Sequence, residues 1–404
     1  MKRIIWLTTT LVFISLLSYA GGYQVRLQGQ KQNGMGLIGT SMNFGASSIF
    51  YNPGALSMMK TEYSFDLGSS IIKSHVLYQS SASSYQSETD NPLSFPSYFY
   101  GATKLSDRLT LGLGFYTPYG STSQWPDDWA GNNLIQKISL QAFFIQPTIS
   151  YKFTDKLSFG VGLVLVQGNV DLKKALPYSS DSYVNLKGSD FNIGFNAGLF
   201  YQATEKLSIG LDYRSQVKMN VNGGQAVFYI PESLESIVSP TNTFSAELPL
   251  PANLDFGISY QITDRFLAAL EVNYVMWSVY KELSFEFEEN GDLLNNTNKR
   301  EYSDTFIPRI GLEYVLNDMF TFRGGAYYDS TPTNPNYFTP ETVSLDTYAY
   351  TFGISIQATQ NLGVDLTYLG THGIESEKMY EPAQFGGTYK TAAAIFGFGI
   401  NYNF

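Results

Sequence analysis

The sequence predicts an all-β protein: a fourteen-stranded antiparallel transmembrane β-barrel with an N-terminal hatch, or plug, inside its lumen. Three observations predict it. A short polar turn phrase recurs along the chain. Between its copies, apolar and polar residues alternate with period two. The last segment alternates up to a terminal aromatic residue, Phe404.

The elements follow in chain order. Residues 1–20 read as a secretory signal peptide. Lys2 and Arg3 give a basic start, Ile4 to Leu17 an apolar run, and Ser18-Tyr19-Ala20 small residues where a signal peptidase cuts. That run is short of the roughly 20 apolar residues needed to span a bilayer, and no helix-length apolar stretch follows it. The chain has no Cys, so lipoprotein anchoring, disulfides and thiolate metal sites are excluded. Residues 21–60 are the hatch, rich in Gly, Ser, Asn and Met, which permit close backbone packing and tight turns. Val25, Leu27, Ile38, Phe44, Ile49 and Phe50 make this stretch more apolar than a disordered tail.

Residues 61–404 are the barrel. The turn phrase reads Lys104-Leu-Ser-Asp-Arg-Leu109, Phe153-Thr-Asp-Lys-Leu157, Ala203-Thr-Glu-Lys-Leu207, Ile262-Thr-Asp-Arg-Phe266, Leu316-Asn-Asp-Met-Phe320 and Ala358-Thr-Gln-Asn-Leu362. Each copy sets a polar turn between two apolar residues, as a tight antiparallel hairpin requires. The copies lie about 40 to 60 residues apart, room for two strands of roughly 10 residues and one long loop. The intervening loops are unequal and polar, which favours a barrel over a propeller or solenoid. Six turns join twelve strands. A strand from about Glu62 to Lys73 precedes them and one from Thr391 to Phe404 follows, giving fourteen with both barrel ends on the periplasmic side.

The alternation assigns the faces. Leu157, Phe159, Val161, Leu163 and Leu165 oppose Ser158, Gly160 and Gly162; Phe191, Ile193 and Phe195 oppose Asn192, Gly194 and Asn196. Asp212, Arg214, Asp255, Glu271, Arg309, Glu313, Arg323 and Asp365 all fall in the polar phase. A charge on a lipid face costs about 2 to 4 kcal/mol at mid-bilayer, and a lumen of pairable charges avoids that cost. A soluble sandwich would show the same alternation. The ending Phe396, Phe398, Ile400, Tyr402, Phe404 decides against it, because it resembles the assembly signal of outer-membrane barrels. Composition agrees: 30 Tyr, 29 Phe and 36 Gly with only 15 % charged residues suit aromatic girdles and a packed lumen. A formal net charge of −10 argues against nucleic acid or an anionic membrane surface as partner.

Ala46-Ser-Ser-Ile-Phe-Tyr-Asn-Pro-Gly-Ala-Leu56 resembles the hatch motif of FadL-type outer-membrane transporters, whose core is Asn-Pro-Ala; here Gly54 stands between Pro53 and Ala55. Leu111-Gly-Leu-Gly-Phe-Tyr-Thr-Pro-Tyr-Gly120 resembles the family's third strand and the kink at its end. Trp125-Pro-Asp-Asp-Trp-Ala-Gly131 resembles the aromatic-acidic loop that follows, and Gln146 to Leu163 the next hairpin. The resemblance covers nearly the whole mature chain and is strongest from about Tyr23 to Val166. It implies, independently of the turns, a fourteen-stranded barrel with a hatch, spanning the outer membrane of a Gram-negative cell many times. It also implies uptake of long-chain fatty acids or aromatic hydrocarbons. Such ligands are captured by extracellular loops and released sideways through an opening beside the kinked third strand.

The resemblance places hatch gating at Asn52, Pro53 and Ala55, and the lateral opening at Pro118, Tyr119 and Gly120. Pro118 has no N–H and interrupts a strand ladder, although an ordinary strand end gives the same pattern. Residues 222–250 read as a loop more apolar than exposure requires. Its Phe228, Ile230, Leu234 and Ile237, with Phe44, Phe50, Phe115, Trp125 and Trp129, are the expected ligand contacts. A loop packed on itself accounts for the same residues, and an interfacial belt for the two Trp. Lys173 and Lys174 suit either a ligand carboxylate or a lipopolysaccharide phosphate. The expected partners are a hydrophobic small molecule, outer-membrane lipid and lipopolysaccharide, and the barrel-assembly machinery through the strand ending at Phe404. No cofactor or metal is expected: His75 and His372 are far apart, and the acidic residues lack calcium-loop spacing. The alternatives are a barrel enzyme, for which no Ser-His-Asp constellation is legible, a general porin, which a plug would close, and an accessory barrel of a secretion system.

Overall fold

The computed structural model describes residues 22–404; the signal peptide expected over residues 1–20 lies outside the described residues. The turn phrases fold as read because one short polar side chain in each stands in for a backbone acceptor. Thr154 Oγ1 accepts from the N–H groups of Lys156 and Leu157 at 3.2 and 3.0 Å, and Thr204 and Thr359 repeat this. Ser106 and Asn317 serve the same purpose in their turns. The apolar pair then closes the hairpin, as in Phe153 N–H to Leu157 O at 2.9 Å.

These turns connect fourteen barrel strands. The first six are β1 (Tyr63–Ser80), β2 (Ser97–Lys104), β3 (Leu109–Gln124), β4 (Lys137–Lys152), β5 (Leu157–Ala175) and β6 (Tyr183–Gln202). Three run in two pieces each: β7 (Leu207–Arg214 and Val217–Tyr229), β8 (Thr241–Leu250 and Asn253–Thr263) and β9 (Phe266–Val275 and Glu282–Phe287). The last five are β10 (Thr305–Val315), β11 (Phe320–Asp329), β12 (Thr347–Gln357), β13 (Leu362–Gly373) and β14 (Phe385–Asn403). Sequence neighbours pair antiparallel, and β14 pairs back onto β1 from Ser64↔Asn403 to Ser80↔Gly387, which closes the sheet. At the seam Tyr63 and Phe404 exchange backbone hydrogen bonds of 2.8 and 3.1 Å.

Three boundaries differ from the sequence reading. β1 and β14 are longer than expected, because pairing continues past the apolar alternation into the loop layer. Residues 222–250 are largely strand: the outer pieces of β7 and β8 form a projecting hairpin whose tip is residues 230–240. A register shift there sets Val221 against Ala246 and Gly224 against Phe244, and Gly223 takes φ +72° to absorb the extra residue.

Exposure is inverted relative to a water-soluble protein. Leu163, Phe195 and Phe352 on the outer face are 49, 50 and 60 % exposed, while lumenal Asp212, Asp255 and Glu271 are 2, 1 and 2 % exposed. Lipid covers such an apolar band; water would not.

The lumen holds the hatch, which contains three one-turn helices, α1 (Gln30–Asn33), α2 (Ser48–Tyr51) and α3 (Pro53–Leu56). Asn52 starts α3: its side chain accepts the Gly54 N–H at 2.9 Å, and Pro53 takes the first helical position. The hatch fits because the wall facing it is glycine. A Cβ on Gly160 would stand 2.3 Å from Pro53 O, and one on Gly210 1.9 Å from Thr40 O. Lumenal charges then fasten it. Arg26 reaches both Asp255 carboxylate oxygens at 3.0 Å and Glu271 at 3.4 Å. Glu271 also accepts the Gly39 and Thr40 N–H groups at 3.1 and 2.9 Å. Arg214 donates to Phe50 O at 2.8 Å and Arg309 to Leu37 O at 3.2 Å.

Candidate functional site: a strand bulge between two cavities

The ladder of β3 breaks at Thr117 and Pro118. Up to Tyr116, β3 pairs with β2 on one side and β4 on the other. Pro118 has no N–H to offer, and pairing with β4 resumes only at Tyr119↔Ala142, so two residues oppose Phe143. β2 begins at Ser97, so among the described residues β3 has no paired strand on that side just beyond the bulge; only at Gln124 do Asp90 and Asn91 meet it again, with Asp90 N–H to Gln124 O at 2.8 Å. The hatch takes that free edge. Val25 N–H donates to Pro118 O at 2.7 Å, Gly120 N–H to Tyr23 O at 2.9 Å, and Gln28 Nε2 to Thr117 O at 2.8 Å. Toward β1 the wall is completed by an irregular segment, residues 89–96, tied on by Ile72 and Ser70 N–H bonds to Ser94 O and Pro96 O at 2.9 and 3.0 Å.

Two cavities flank this bulge. The inner one has an empty volume of about 900 Å³ and a largely apolar lining that includes Leu140, Leu172, Leu186, Met219, Phe244 and Leu250. The wall cavity, about 1150 Å³, lies between residues 92–96 and the β3–β4 pair, with Leu93, Phe95 and Phe143 among its lining. Tyr119, Gly120, Leu140, Gln141 and Ala142 line both, so the bulge is the partition between them. The hatch contributes Tyr23 to the inner side and Val25 to the wall side. Tyr23 is pinned: its hydroxyl donates to Pro249 O, and its ring meets Trp277 edge-on at 4.9 Å. Burial, reinforced by Tyr280, pushes its phenol well above the ordinary range, so it stays a neutral donor. Tyr119 is held by Pro251 O at 3.0 Å and Asn253 Nδ2 at 3.2 Å.

A family model described as outer membrane protein transport protein (OMPP1/FadL/TodX) matches residues 11–404. The chain belongs to this family. The 47 kDa outer membrane protein of Pasteurella multocida is 26 % identical, covering 89 % of this chain and 88 % of its own. The long-chain fatty acid transport protein of Escherichia coli K12 is 22 % identical over 98 % of each. Among solved structures, a Pseudomonas aeruginosa FadL homologue superposes with a TM-score of 0.84 at 18 % identity, covering 95 % of this chain and 100 % of that one. The Ralstonia pickettii toluene transporter TbuX gives 0.71 at 20 % identity over 93 % and 98 %. The protein is therefore a multi-pass outer-membrane barrel of a transport family, and the reading as a barrel enzyme falls away.

In this OMPP1/FadL/TodX barrel the residues nominated from the sequence scatter. Pro118, Tyr119 and Gly120 form the bulge. Asn52, Pro53 and Ala55 lie away from it, against β5 and β6. Asn52 Nδ2 donates to Thr40 O at 2.7 Å and Leu199 O at 3.0 Å, and Ser158 Oγ donates to Gly54 O at 2.7 Å. Phe50 is buried 5.2 Å from the Tyr116 ring under the Arg214 guanidinium. Phe44 packs beside Met35, Ile38 and Met42. Phe115 faces outward, stacked on Phe143 at 6.4 Å, because period two sends Tyr116 into the lumen and Phe115 to the lipid. Trp125 and Trp129 stack at 4.1 Å and are buried in the loop layer, with Tyr78 and Phe385 against Trp129, rather than standing in an interfacial belt. Phe228 packs on Phe287 at 5.9 Å; Ile230, Leu234 and the exposed Ile237 follow at the hairpin tip. None of these nine lines the inner cavity. Lys173 is occupied by Asp127 at 3.0 Å.

The lining residues carried a signal of their own. On β4 the inward face runs Ser150, Thr148, Gln146 beside the hatch and then Phe144, Ala142, Leu140, Ile138 beyond it. On β5, Ser158, Gly160 and Gly162 give way to Val164 and Val166. A strand whose polar phase turns apolar partway along, as in Val164-Leu165-Val166, has lipid on one side and an apolar interior on the other.

Proposed function

We propose that this barrel is a passive importer of hydrophobic small molecules, with the inner cavity as ligand site and the wall cavity as a sideways exit into the membrane. Its relatives are named for long-chain fatty acids or toluene, and one of these two cargo classes is proposed here. The observation that carries the reading is the shared partition, Tyr119, Gly120 and Leu140 to Ala142. Apolar surface gains roughly 25 cal/mol per Å² on leaving water. A path that stays apolar from cavity to lipid keeps that gain, and a water-filled pore forfeits it. Residues 23–25 serve as the gate: they are laid on the free edge of β3, and their withdrawal joins the cavities. Asn52, Pro53 and Ala55 take part in gating by fixing the rest of the hatch to β5 and β6 while that segment moves. In this reading residues 1–20 direct secretion, lipid and lipopolysaccharide surround the apolar band, and the Phe404 strand engages the barrel-assembly machinery.

Gln24 and Tyr119 are bridge partners, close enough for an engineered disulfide, and the chain has no Cys to interfere. The test is uptake of radiolabelled toluene and of a radiolabelled long-chain fatty acid by cells carrying Gln24→Cys/Tyr119→Cys at matched outer-membrane abundance. Uptake is expected to fall about ten-fold on oxidation and to return on reduction. Uptake indifferent to oxidation would remove the gate. Uptake of neither compound by the unaltered barrel would instead favour a secretion accessory.

A further inference from the structure

The inner cavity has an unusual charge pattern. Among the described residues its lining includes three carboxylates, Asp190, Glu247 and Glu341, and no Lys, Arg or His. Each carboxylate is already engaged. Asp190 accepts the Asn220 N–H at 2.7 Å, Glu247 pairs with Lys218, and Glu341 is held by the Arg300 guanidinium. Arg300 lies behind the lining, 1 % exposed, with its Nη1 lacking any hydrogen-bond partner. Lys174 also stands within the field of Glu341. Glu341 and Thr342, with Tyr280, form the polar end of an otherwise apolar space. Glu341 thus stands between the cavity and Arg300.

We propose that Glu341 makes this cavity select neutral hydrophobic ligands over carboxylates, by filling the anion seat that Arg300 would otherwise offer. The proposal rests on the reading of the inner cavity as the ligand site. An ionised fatty acid entering it would meet the Glu341 carboxylate at the polar end, with no cation among the described lining residues to receive it. Burying an unpaired carboxylate is among the costliest transfers from water, and like charges set side by side at a binding surface repel. An aromatic hydrocarbon or a long alkanol meets neither cost and still buries its apolar surface. Neutralising Glu341 would leave a buried guanidinium with free donors at the end of an apolar slot, which is a carboxylate receptor.

The test is equilibrium binding of radiolabelled 1-dodecanol and dodecanoate, matched in chain length, at about pH 8, where the acid is ionised. The full barrel is held in lipid nanodiscs, and a Leu140→Trp variant that fills the cavity gives the background. The unaltered barrel is expected to hold dodecanol at least about ten-fold tighter than dodecanoate. Glu341→Gln is expected to raise dodecanoate affinity about ten-fold and leave dodecanol unchanged. Glu341→Asp, which keeps the charge, should keep the original preference; heat-modified gel mobility confirms that each barrel is folded. Equal binding of the two ligands by the unaltered barrel, or an unchanged ratio in Glu341→Gln, overturns the proposal and leaves the transporter reading standing. Binding of neither ligand above the Leu140→Trp background overturns both.

Discussion

Arg26 and Glu271 tie the hatch to the barrel wall through several charged contacts at two side chains. Arg26 forms a two-point contact with Asp255, a third contact with Glu271, and lies over the Phe50 and Tyr51 rings at 5.7 and 5.6 Å. Glu271 holds two hatch N–H groups besides. Such a pair contributes little over an apolar substitute, yet removing one member strands the other in a dry lumen at about 3 to 5 kcal/mol. Arg26→Gln is therefore expected to lower the unfolding free energy in lipid vesicles by about 3 kcal/mol. Adding Asp255→Asn should return part of that loss. A urea midpoint unmoved by Arg26→Gln would show that the latch lies elsewhere.

Among the elements, β3 lacks a backbone donor at its bulge, where Pro118 stands. Pro118→Ala supplies the missing N–H and lets the strand pair more regularly with β4. One backbone hydrogen bond is worth about 1 kcal/mol, or roughly five-fold in an opening equilibrium. Uptake at matched abundance is expected to slow by about that factor; unchanged uptake would mean that the hatch, and not the proline, sets the bulge. Element by element, the sequence was readable where the cause is local. Thr154 caps its own turn three residues on, and the period of two around Leu163 needs no partner to be seen. Phe115 was misassigned by looking at residue type without the phase of its strand. Trp125 and Trp129 could not be placed, because what fixes them, Tyr78 and Phe385, arrives from β1 and from the opposite end of the chain. The cavity lining was hidden for another reason: Leu140 and Leu172 sit in a phase that is polar beside the hatch and apolar beyond it.

At the scale of the whole molecule, closure of β14 onto β1 leaves a cylinder whose backbone donors and acceptors are paired around the ring. The stretch of β3 beyond its bulge departs from this pattern, and there the hatch lies alongside. An uncovered strand edge is a template for any extended chain nearby, including the same stretch of an identical molecule. The first residues of the hatch therefore act as a guard against self-association as well as a stopper: while they occupy the edge, no second barrel can add a strand to it. Deleting residues 22–28 should yield barrels that still assemble but cross-link as dimers in the membrane. A monomer-only pattern after that deletion would show that the edge finds cover within its own wall.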